Sequence, residues 1–486
     1  MSKQNPLLID LYQLSMAQGY FLEEMTDAQA SFVYSFRENP YAGGFAVFAG
    51  SEGLCDYLEN WRFDTEDISW LSTLKAADGS DLFRKDFLRF LSELDLELEV
   101  FAAPEGTLVF AGEPIVRVTG NLITAQLIET ALMNRLNFET LIATKAARCV
   151  IAANGAPVLE FGLRRAQGPD GGISASRAAF VGGCSATSNL EAARRYGIPC
   201  AGTHAHSWVM AHDNEKEAFE AWTRSSANNA VLLVDTYDSL KGVELAIKAG
   251  AAMQARGERF SGIRLDSGDL AWLSKRARSM LDAAGLDHAH IFASNDLDEY
   301  TISSLKAQGA RVDSWGVGTR LSTGGTQSAL GGVYKMTAFR KSAKDDWMPR
   351  IKVSDQSIKT STPGLLSVRR FLDNQGRPSG DMVYDLERGP EIDEEVTIID
   401  PLDMTRQKSF GSGTASTELL KPLFASGQVK GVHDDLDSMR ERALAGIELL
   451  DDSHLRFMKP HRYPVGLERG LFEKRLDMIT QYKGVE

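Results

Sequence analysis

Cysteine is scarce in this chain of 486 residues. There are four, Cys55, Cys149, Cys184 and Cys200, and no two stand in a C-x-x-C spacing. That excludes a disulfide-stapled scaffold and a cysteine-rich zinc module, and it suits a reducing compartment. An excess of basic residues is also missing. The formal net charge is −13, so the bulk charge gives no support to a nucleic-acid role, while a local basic pocket for phosphates stays open. Long apolar runs are absent as well; the run 230–234 is only strand length, far short of a membrane span. The opening Met1-Ser-Lys-Gln-Asn-Pro6 has neither the basic start nor the apolar core of a signal peptide. These absences together lead to the expectation of a soluble, cytoplasmic protein.

What is present is ample core material, 43% hydrophobic against 24% charged residues, in a chain long enough for two or three domains. Between about 155 and 320, short apolar or β-branched runs alternate with longer amphipathic ones. Strands are expected at 157–161, 199–202, 230–234, 262–265, 290–293 and 314–317. Helices are expected at 188–196, 214–222, 239–253, 270–284 and 298–308, with Leu270, Leu273, Ala277, Met280 and Leu281 on one face of the fourth. This cadence predicts a parallel α/β sheet. Almost every strand runs into polar chemistry at its C-terminal end, which favours a barrel over a doubly wound sheet. Six strands make that (β/α) barrel incomplete. A helical stretch over 124–154 leads into it. The outer parts read as α+β, with strands at 45–48, 96–101, 107–110 and 114–118 and a helix at 81–94. Further strands follow at 333–339, 350–353, 365–371, 382–384 and 395–399, and an acidic helical segment covers 432–457. The expected division is 1–123 and 336–486 as two parts of one flanking α+β domain, around a catalytic barrel of 124–335.

The densest chemistry lies in Glu160-Phe-Gly-Leu-Arg-Arg-Ala-Gln-Gly-Pro-Asp-Gly-Gly172. Adjacent arginines just past a strand pack poorly, because each guanidinium must find water or an anion, and the glycines let backbone approach a ligand. In Gly202-Thr-His-Ala-His-Ser207, His204 and His206 share a side if the strand continues through them. A metal pair there needs further histidines at later strand ends, and none follows; His288 and His290 sit at the opposite end. One histidine packing and one solvated is the plainer alternative, while a single nucleophilic or phosphate-binding histidine among carboxylates fits best. Asp235 and Asp266 end strands directly, whereas Asp238 and Asp269 serve equally well as helix caps. Carboxylates there hold Mg²⁺ through water, stabilise a developing cation or orient a histidine. Gly316-Val-Gly-Thr319 follows the last strand, where barrels often bind phosphate. Arginines, glycine turns, carboxylates and one special histidine point to a large phosphorylated sugar substrate.

These motifs resemble the nicotinate phosphoribosyltransferase family over most of the chain. The resemblance opens at Asp10-Leu-Tyr-Gln-Leu-Ser-Met-Ala-Gln-Gly-Tyr20 and runs through Phe161-Gly-Leu-Arg-Arg165, Gly202–Ser207, Arg264-Leu-Asp-Ser-Gly-Asp269 and Gly316-Val-Gly-Thr-Arg320 to Ala329-Leu-Gly-Gly-Val-Tyr-Lys335. It implies transfer of phosphoribose from phosphoribosyl pyrophosphate (PRPP) to nicotinate, with Mg²⁺ and with coupled ATP hydrolysis through a phosphohistidine at His206, in NAD salvage. It implies a head-to-tail homodimer in which Tyr12 of one protomer stacks on the pyridine ring in the other's site, opposite Phe161. In that scheme Arg164, beside Arg165, takes the nicotinate carboxylate. Asp235 and Asp266 stabilise positive charge at C1′. Arg264 with Mg²⁺ holds the departing pyrophosphate, Thr203 and Ser267 are further substrate-binding residues, and Gly316, Gly318 and Thr319 take the 5′-phosphate. One departure is Gly182-Gly-Cys-Ser-Ala-Thr-Ser-Asn189, where Ser185 stands in place of the family's usual acid near the pyridine. The related nicotinamide enzyme uses an acid there, so Ser185 argues against an amide substrate.

Overall fold

The computed structural model describes residues 5–226, 230–389, 395–430 and 434–483. Part of the N-terminal reading (1–4) and of the acidic helical segment (432–433) therefore lies outside the described residues. The chain divides into two compact units, Met1–Thr140 with Ala329–Glu486, and Leu141–Ser328. The division falls inside one long helix, Glu129–Ala153, within the stretch expected to lead into the barrel.

The second unit is a six-stranded parallel sheet, an incomplete α/β barrel. Its strands are β1 (Val158–Glu160), β2 (Ala186–Thr187), β3 (Ala230–Leu233), β4 (Phe260–Leu265), β5 (His290–Ala293) and β6 (Ser314–Val317). They are ordered β2-β1-β6-β5-β4-β3. Its helices are α1 (Gly168–Val181), α2 (Leu190–Tyr196), α3 (His206–Met210), α4 (Glu215–Ser225), α5 (Ser239–Ala255), α6 (Leu270–Ala283), α7 (Glu299–Ala307) and α8 (Thr319–Ser322). The strands are short and apolar because both faces are covered: β3 and β6 are buried at every position. α6 buries Leu270, Leu273, Ala277 and Leu281, with Met280 half-buried. Asp238 and Asp269 each accept a backbone N–H from the first turn of α5 and α6, from Lys241 and Trp272 at 3.0 and 2.9 Å. The capping alternative therefore holds for both.

Two strand expectations need correction. The segment 199–202 forms no strand, only a single bridge between Thr187 and Cys200. Its partner β2 is two residues long and went unrecognised, because so short a strand has no periodicity to read. In the first unit 350–353 is not a strand either; the edge strand is Met348–Pro349.

That first unit is built from both ends of the chain. Gln29–Phe36 pairs antiparallel with Gly332–Arg340, Phe32 opposite Met336, and Leu98–Ala102 pairs with Lys421–Ala425. A second six-stranded sheet comes wholly from 366–468. At the heart of this unit Arg370 forks onto Asp381, at 2.9 and 2.6 Å. Tyr463 donates to the same carboxylate at 2.9 Å. The wholly buried Glu113 is pushed well above the usual carboxylate range by burial and then by Asp381. A protonated Glu113 leaves one cation facing one anion there, the cheaper arrangement in a dry interior. Among the described residues no helix is long and apolar enough to cross a membrane.

Candidate active site

The C-terminal ends of the barrel strands surround an open cavity of about 310 Å³, lined by Phe161, Leu163, Arg164, Ser188, Gly202, Thr203, His204, Ala205, His206, Leu233, Arg264 and Asp266. A smaller recess of about 60 Å³ in the barrel interior shares Phe161, Gly202, Thr203 and Arg264 with it and reaches Ser294 and Gly316.

Arg264, inside β4, is fixed from three directions. Its Nε donates to Ser294 Oγ at 2.8 Å, Nη1 to Thr203 Oγ1 at 3.1 Å and Nη2 to Asp266 Oδ1 at 2.8 Å. Ser294 Oγ also donates to Asp266 Oδ1. The guanidinium carbon lies 5.6 Å from the centroid of the Phe161 ring, a cation–π distance. So held, Arg264 is a pre-set cation at the cavity floor and needs little reorganisation to meet an anion.

The Asp235 carboxylate just beyond β3 is fully shielded, whereas His206 is 41% exposed at the side chain. Asp235 Oδ2 accepts from the Asp266 backbone N–H at 2.8 Å and from Ser267 Oγ at 2.6 Å. Its Oδ1 lies 3.2 Å from His206 Nε2. A carboxylate acceptor on Nε2 holds a ring proton there, so that in the neutral ring the lone pair is on Nδ1. Asp235 does not line the cavity; Asp266, 30% exposed, is the carboxylate that does.

His204 behaves differently from His206. It is buried, its Nε2 accepts the Leu233 backbone N–H at 3.1 Å, and its Nδ1 faces Ala205 O at 3.3 Å. Burial first, then Arg264 and His206, lowers its pKa, in keeping with a neutral ring protonated on Nδ1. With both nitrogens occupied, His204 is no metal ligand.

The Phe161 loop is set by a residue that the sequence reading left without a role. Glu160, almost wholly buried, accepts from the Gly162 backbone N–H, from Ser176 Oγ at 2.8 Å and from Thr187 Oγ1 at 2.6 Å. Three donors satisfy the carboxylate, and they fix the turn that carries Phe161 and Arg164. Side chains are excluded on its far side: a Cβ at Gly316 would stand 2.8 Å from the Phe161 ring, and one at Gly162 only 2.5 Å from Ser322 Cβ. Glycine at these positions is a packing requirement.

The expected site residues separate as follows. The cavity lining brings together Phe161, Arg164, Thr203, His206, Arg264 and Asp266, with Gly316 in the recess. Ser267 and Asp235 stand behind His206. Gly318 and Thr319 open α8, outside both linings, and a Cβ at Gly318 would stand 3.3 Å from Phe161 O. Arg165 is exposed and lines neither. Ser185 stands apart from this lining. It precedes β2, its N–H bonded to Val158 O at 2.8 Å, and it is absent from the lining, which Ser188 enters three residues later. Only the far end of a strand that runs toward the site can reach it. Tyr12 lies in the other unit, on the exposed side of the helix Leu11–Leu22. Its hydroxyl donates to Glu129 Oε2 at 3.2 Å, and burial followed by Glu129 pushes its pKa up to about 12.

Comparisons with known proteins show the family. Models of the nicotinate phosphoribosyltransferase (NAPRTase) N-terminal domain, family and C-terminal domain match residues 7–137, 157–377 and 367–475. The chain belongs to the nicotinate phosphoribosyltransferase family. It is 40% identical over 476 residues to the nicotinate phosphoribosyltransferase of Bacillus subtilis, covering 98% of this chain and 95% of that one. It is 32% identical to the human enzyme of the same name over 96% of this chain and 95% of the relative. The crystal structure of human nicotinic acid phosphoribosyltransferase superposes with a TM-score of 0.84 at 28% identity, over 96% of this chain and 99% of that one. The fold alone is shared with a nicotinate-nucleotide pyrophosphorylase structure from Pyrococcus furiosus, TM-score 0.70 at 21% identity.

A second cavity, of about 120 Å³, lies in the first unit. Arg37, Lys335, Lys359, Arg462 and Arg475 line it with no carboxylate among the lining residues. Only Arg462 is ion-paired among the described residues, to Asp400 at 2.8 Å. Such a wall suits an anion. No sequence motif marks it, because cations scattered from 37 to 475 meet only once Gln29–Phe36 has paired with Gly332–Arg340.

Proposed function

We propose that this chain transfers phosphoribose from PRPP to nicotinate, releasing pyrophosphate, with ATP hydrolysis coupled through a phosphohistidine at His206, as a step of NAD salvage. Family membership supports the transferase reading. The observation that carries the carboxylate substrate is Arg164: it lines the same cavity as Phe161 and makes no ion pair among the described residues. An unpaired arginine and an aromatic ring in one cavity suit a planar pyridine bearing a carboxylate.

In the transfer step the pyridine nitrogen lone pair forms the bond to C1′ while the C1′–oxygen bond breaks and pyrophosphate leaves with the electron pair. The nucleophile has no proton to lose, so no general base is required. Positive charge gathers at C1′, and Asp266 is the carboxylate facing it from the cavity wall. Arg264 meets the departing phosphates. The start of α8 at Gly318–Thr319 offers backbone N–H groups to the 5′-phosphate, and Gly316, within β6, lines the adjoining recess. Among the described residues no three His, Cys, Asp or Glu side chains converge as a metal cage. A donor set of one or two carboxylates fits Mg²⁺ brought by PRPP and ATP, which Asp266 would help to hold. Such an ion neutralises phosphate charge on the leaving group.

In the coupling step His206 Nδ1 takes the γ-phosphoryl group. A P–N bond forms, the bond to the β-phosphate oxygen breaks and ADP leaves, while the ring proton stays on Nε2 against Asp235. Replacement of Arg164 tests the carboxylate assignment. Arg164→Ala should raise KM for nicotinate by about 10- to 100-fold, the worth of a charge-assisted bidentate contact, and leave KM for PRPP within a few-fold. Equal losses for both substrates would remove Arg164 from the pyridine.

We further propose a homodimer in which Tyr12 of one protomer serves the site of its partner. Tyr12, Leu8, Leu11 and Met16 form an exposed apolar stripe around the first helix, of the kind that marks an interface. Light scattering should give twice the mass of one chain, and Tyr12→Ala should weaken nicotinate binding about 10-fold. A monomer of unchanged affinity would contradict the shared site. The four cysteines, none in a disulfide among the described residues and three of them buried, are compatible with the reducing cytoplasm.

A further inference from the structure

The six-stranded sheet is open between β2 and β3, and the segment 199–206 crosses that opening. On one side it is joined by backbone: the Thr187 N–H donates to Pro199 O and the Ala201 N–H to Thr187 O, both at 3.0 Å. On the other side the joining group is a side chain, since the Leu233 N–H donates to His204 Nε2 at 3.1 Å. Two residues further along both segments, His206 Nε2 meets Asp235 Oδ1 at 3.2 Å. The pairs 204/233 and 206/235 share one sequence separation, 29 residues. The two segments therefore run in parallel register, as neighbouring strands would, with imidazole rungs in place of backbone ones.

We infer that His204 is the positioning residue for His206. Its ring replaces the missing ladder between the 202–206 segment and β3, and so holds the reacting imidazole in register with Asp235. The role goes beyond the proposed chemistry but rests on it for its kinetic consequence. Several features support a built clamp. The His204 ring is packed edge-on against Trp222 of α4, centroids 5.0 Å apart, and tilted against Phe219 at 6.3 Å. The preceding Thr203 Oγ1 receives Arg264 Nη1 and donates to His204 O at 3.1 Å. Register errors here act directly on His206, which starts a helix of only five residues, α3, and has few other means of placement. His204 touches no substrate in this role.

The test uses the full-length protein with two substitutions. His204→Phe keeps the ring and its contacts with Trp222 and Phe219 but removes the acceptor. His204→Gln keeps an acceptor for the Leu233 N–H near the place of Nε2. With labelled ATP, His204→Phe should form phosphoenzyme about 100-fold more slowly at saturating ATP, the cost of a misplacement near 1 Å, with KM for ATP within about threefold. His204→Gln should recover most of that loss. Exchange of the Leu233 amide should be slow in the wild type and in His204→Gln and fast in His204→Phe. A wild-type rate for His204→Phe, or equal losses in two folded variants, would overturn the inference. A wild-type protein that takes no phosphate from ATP would instead overturn the His206 chemistry. The clamp would then be judged by exchange alone: loss of protection only in His204→Phe supports it, and equal protection in all three proteins overturns it.

Discussion

His206→Ala should form no phosphoenzyme, and its rate of mononucleotide formation should be the same with and without ATP. The imidazole is 41% exposed at the side chain and its recorded hydrogen bond is the one to Asp235. Its removal should thus cost little stability, within about 0.5 kcal/mol for a surface change. Loss of ATP stimulation in this variant is therefore a chemical effect. Slow transfer should persist, because Arg264, Asp266 and the Gly318–Thr319 turn remain. If phosphorylation lowers the transfer barrier by about 3 kcal/mol, ATP stimulation of about 100-fold is at stake. ATP stimulation that survives in His206→Ala would contradict the phosphohistidine assignment.

Asp235→Asn should be more severe for phosphorylation than its small change in shape implies. The two donors on Oδ2, the Asp266 N–H and the Ser267 hydroxyl, hold the amide oxygen on that side. The amide NH₂ then takes the place of Oδ1 and points a donor at His206 Nε2. That nitrogen must become the acceptor, so the ring proton moves to Nδ1 and occupies the lone pair that would attack phosphorus. A wrong tautomer of this kind in a serine protease triad costs about 10⁴-fold. A loss of about 10³- to 10⁴-fold in phosphoenzyme formation is expected here, with the melting temperature nearly unchanged. The variant separates two readings of Asp235. If the residue acts by direct stabilisation of charge at C1′, ATP-independent transfer should collapse too; if it acts through His206, that slow rate should survive. The shielded carboxylate and its place outside the cavity lining favour the second outcome.

Much of the barrel was legible because each strand run ends in a cluster of polar residues, which is where a parallel sheet exposes its ligand side chains. Phe161, Arg164, Thr203, His206, Arg264 and Asp266 all stood in such clusters, and all line one cavity. The less legible parts share a cause, dependence on non-local pairing. Glu160 reads as a strand end, and only the arrival of Ser176 and Thr187 makes it the anchor of the Phe161 turn. Ser185 was placed by motif alignment alone, yet position along β2 decides which of Ser185 and Ser188 faces the site. Gln29–Phe36 escaped notice because it is buried on nearly every residue and so lacks the alternation of a one-sided strand. In the opening motif Tyr12 drew attention, but Gln13 fixes the helix. It is wholly buried, donates to Gln126 O at 2.7 Å and accepts from the Asp10 backbone at 2.9 Å. Whether His204 or His206 packs was likewise open until Leu233 supplied the partner.

The most direct test of the central claim is mononucleotide formation by purified protein from PRPP and Mg²⁺ with either nicotinate or nicotinamide, in the presence and absence of ATP. Product from nicotinate, stimulated by ATP, with nicotinamide unused, is the expected result. Product from nicotinamide in place of nicotinate, or no product from either, would contradict it.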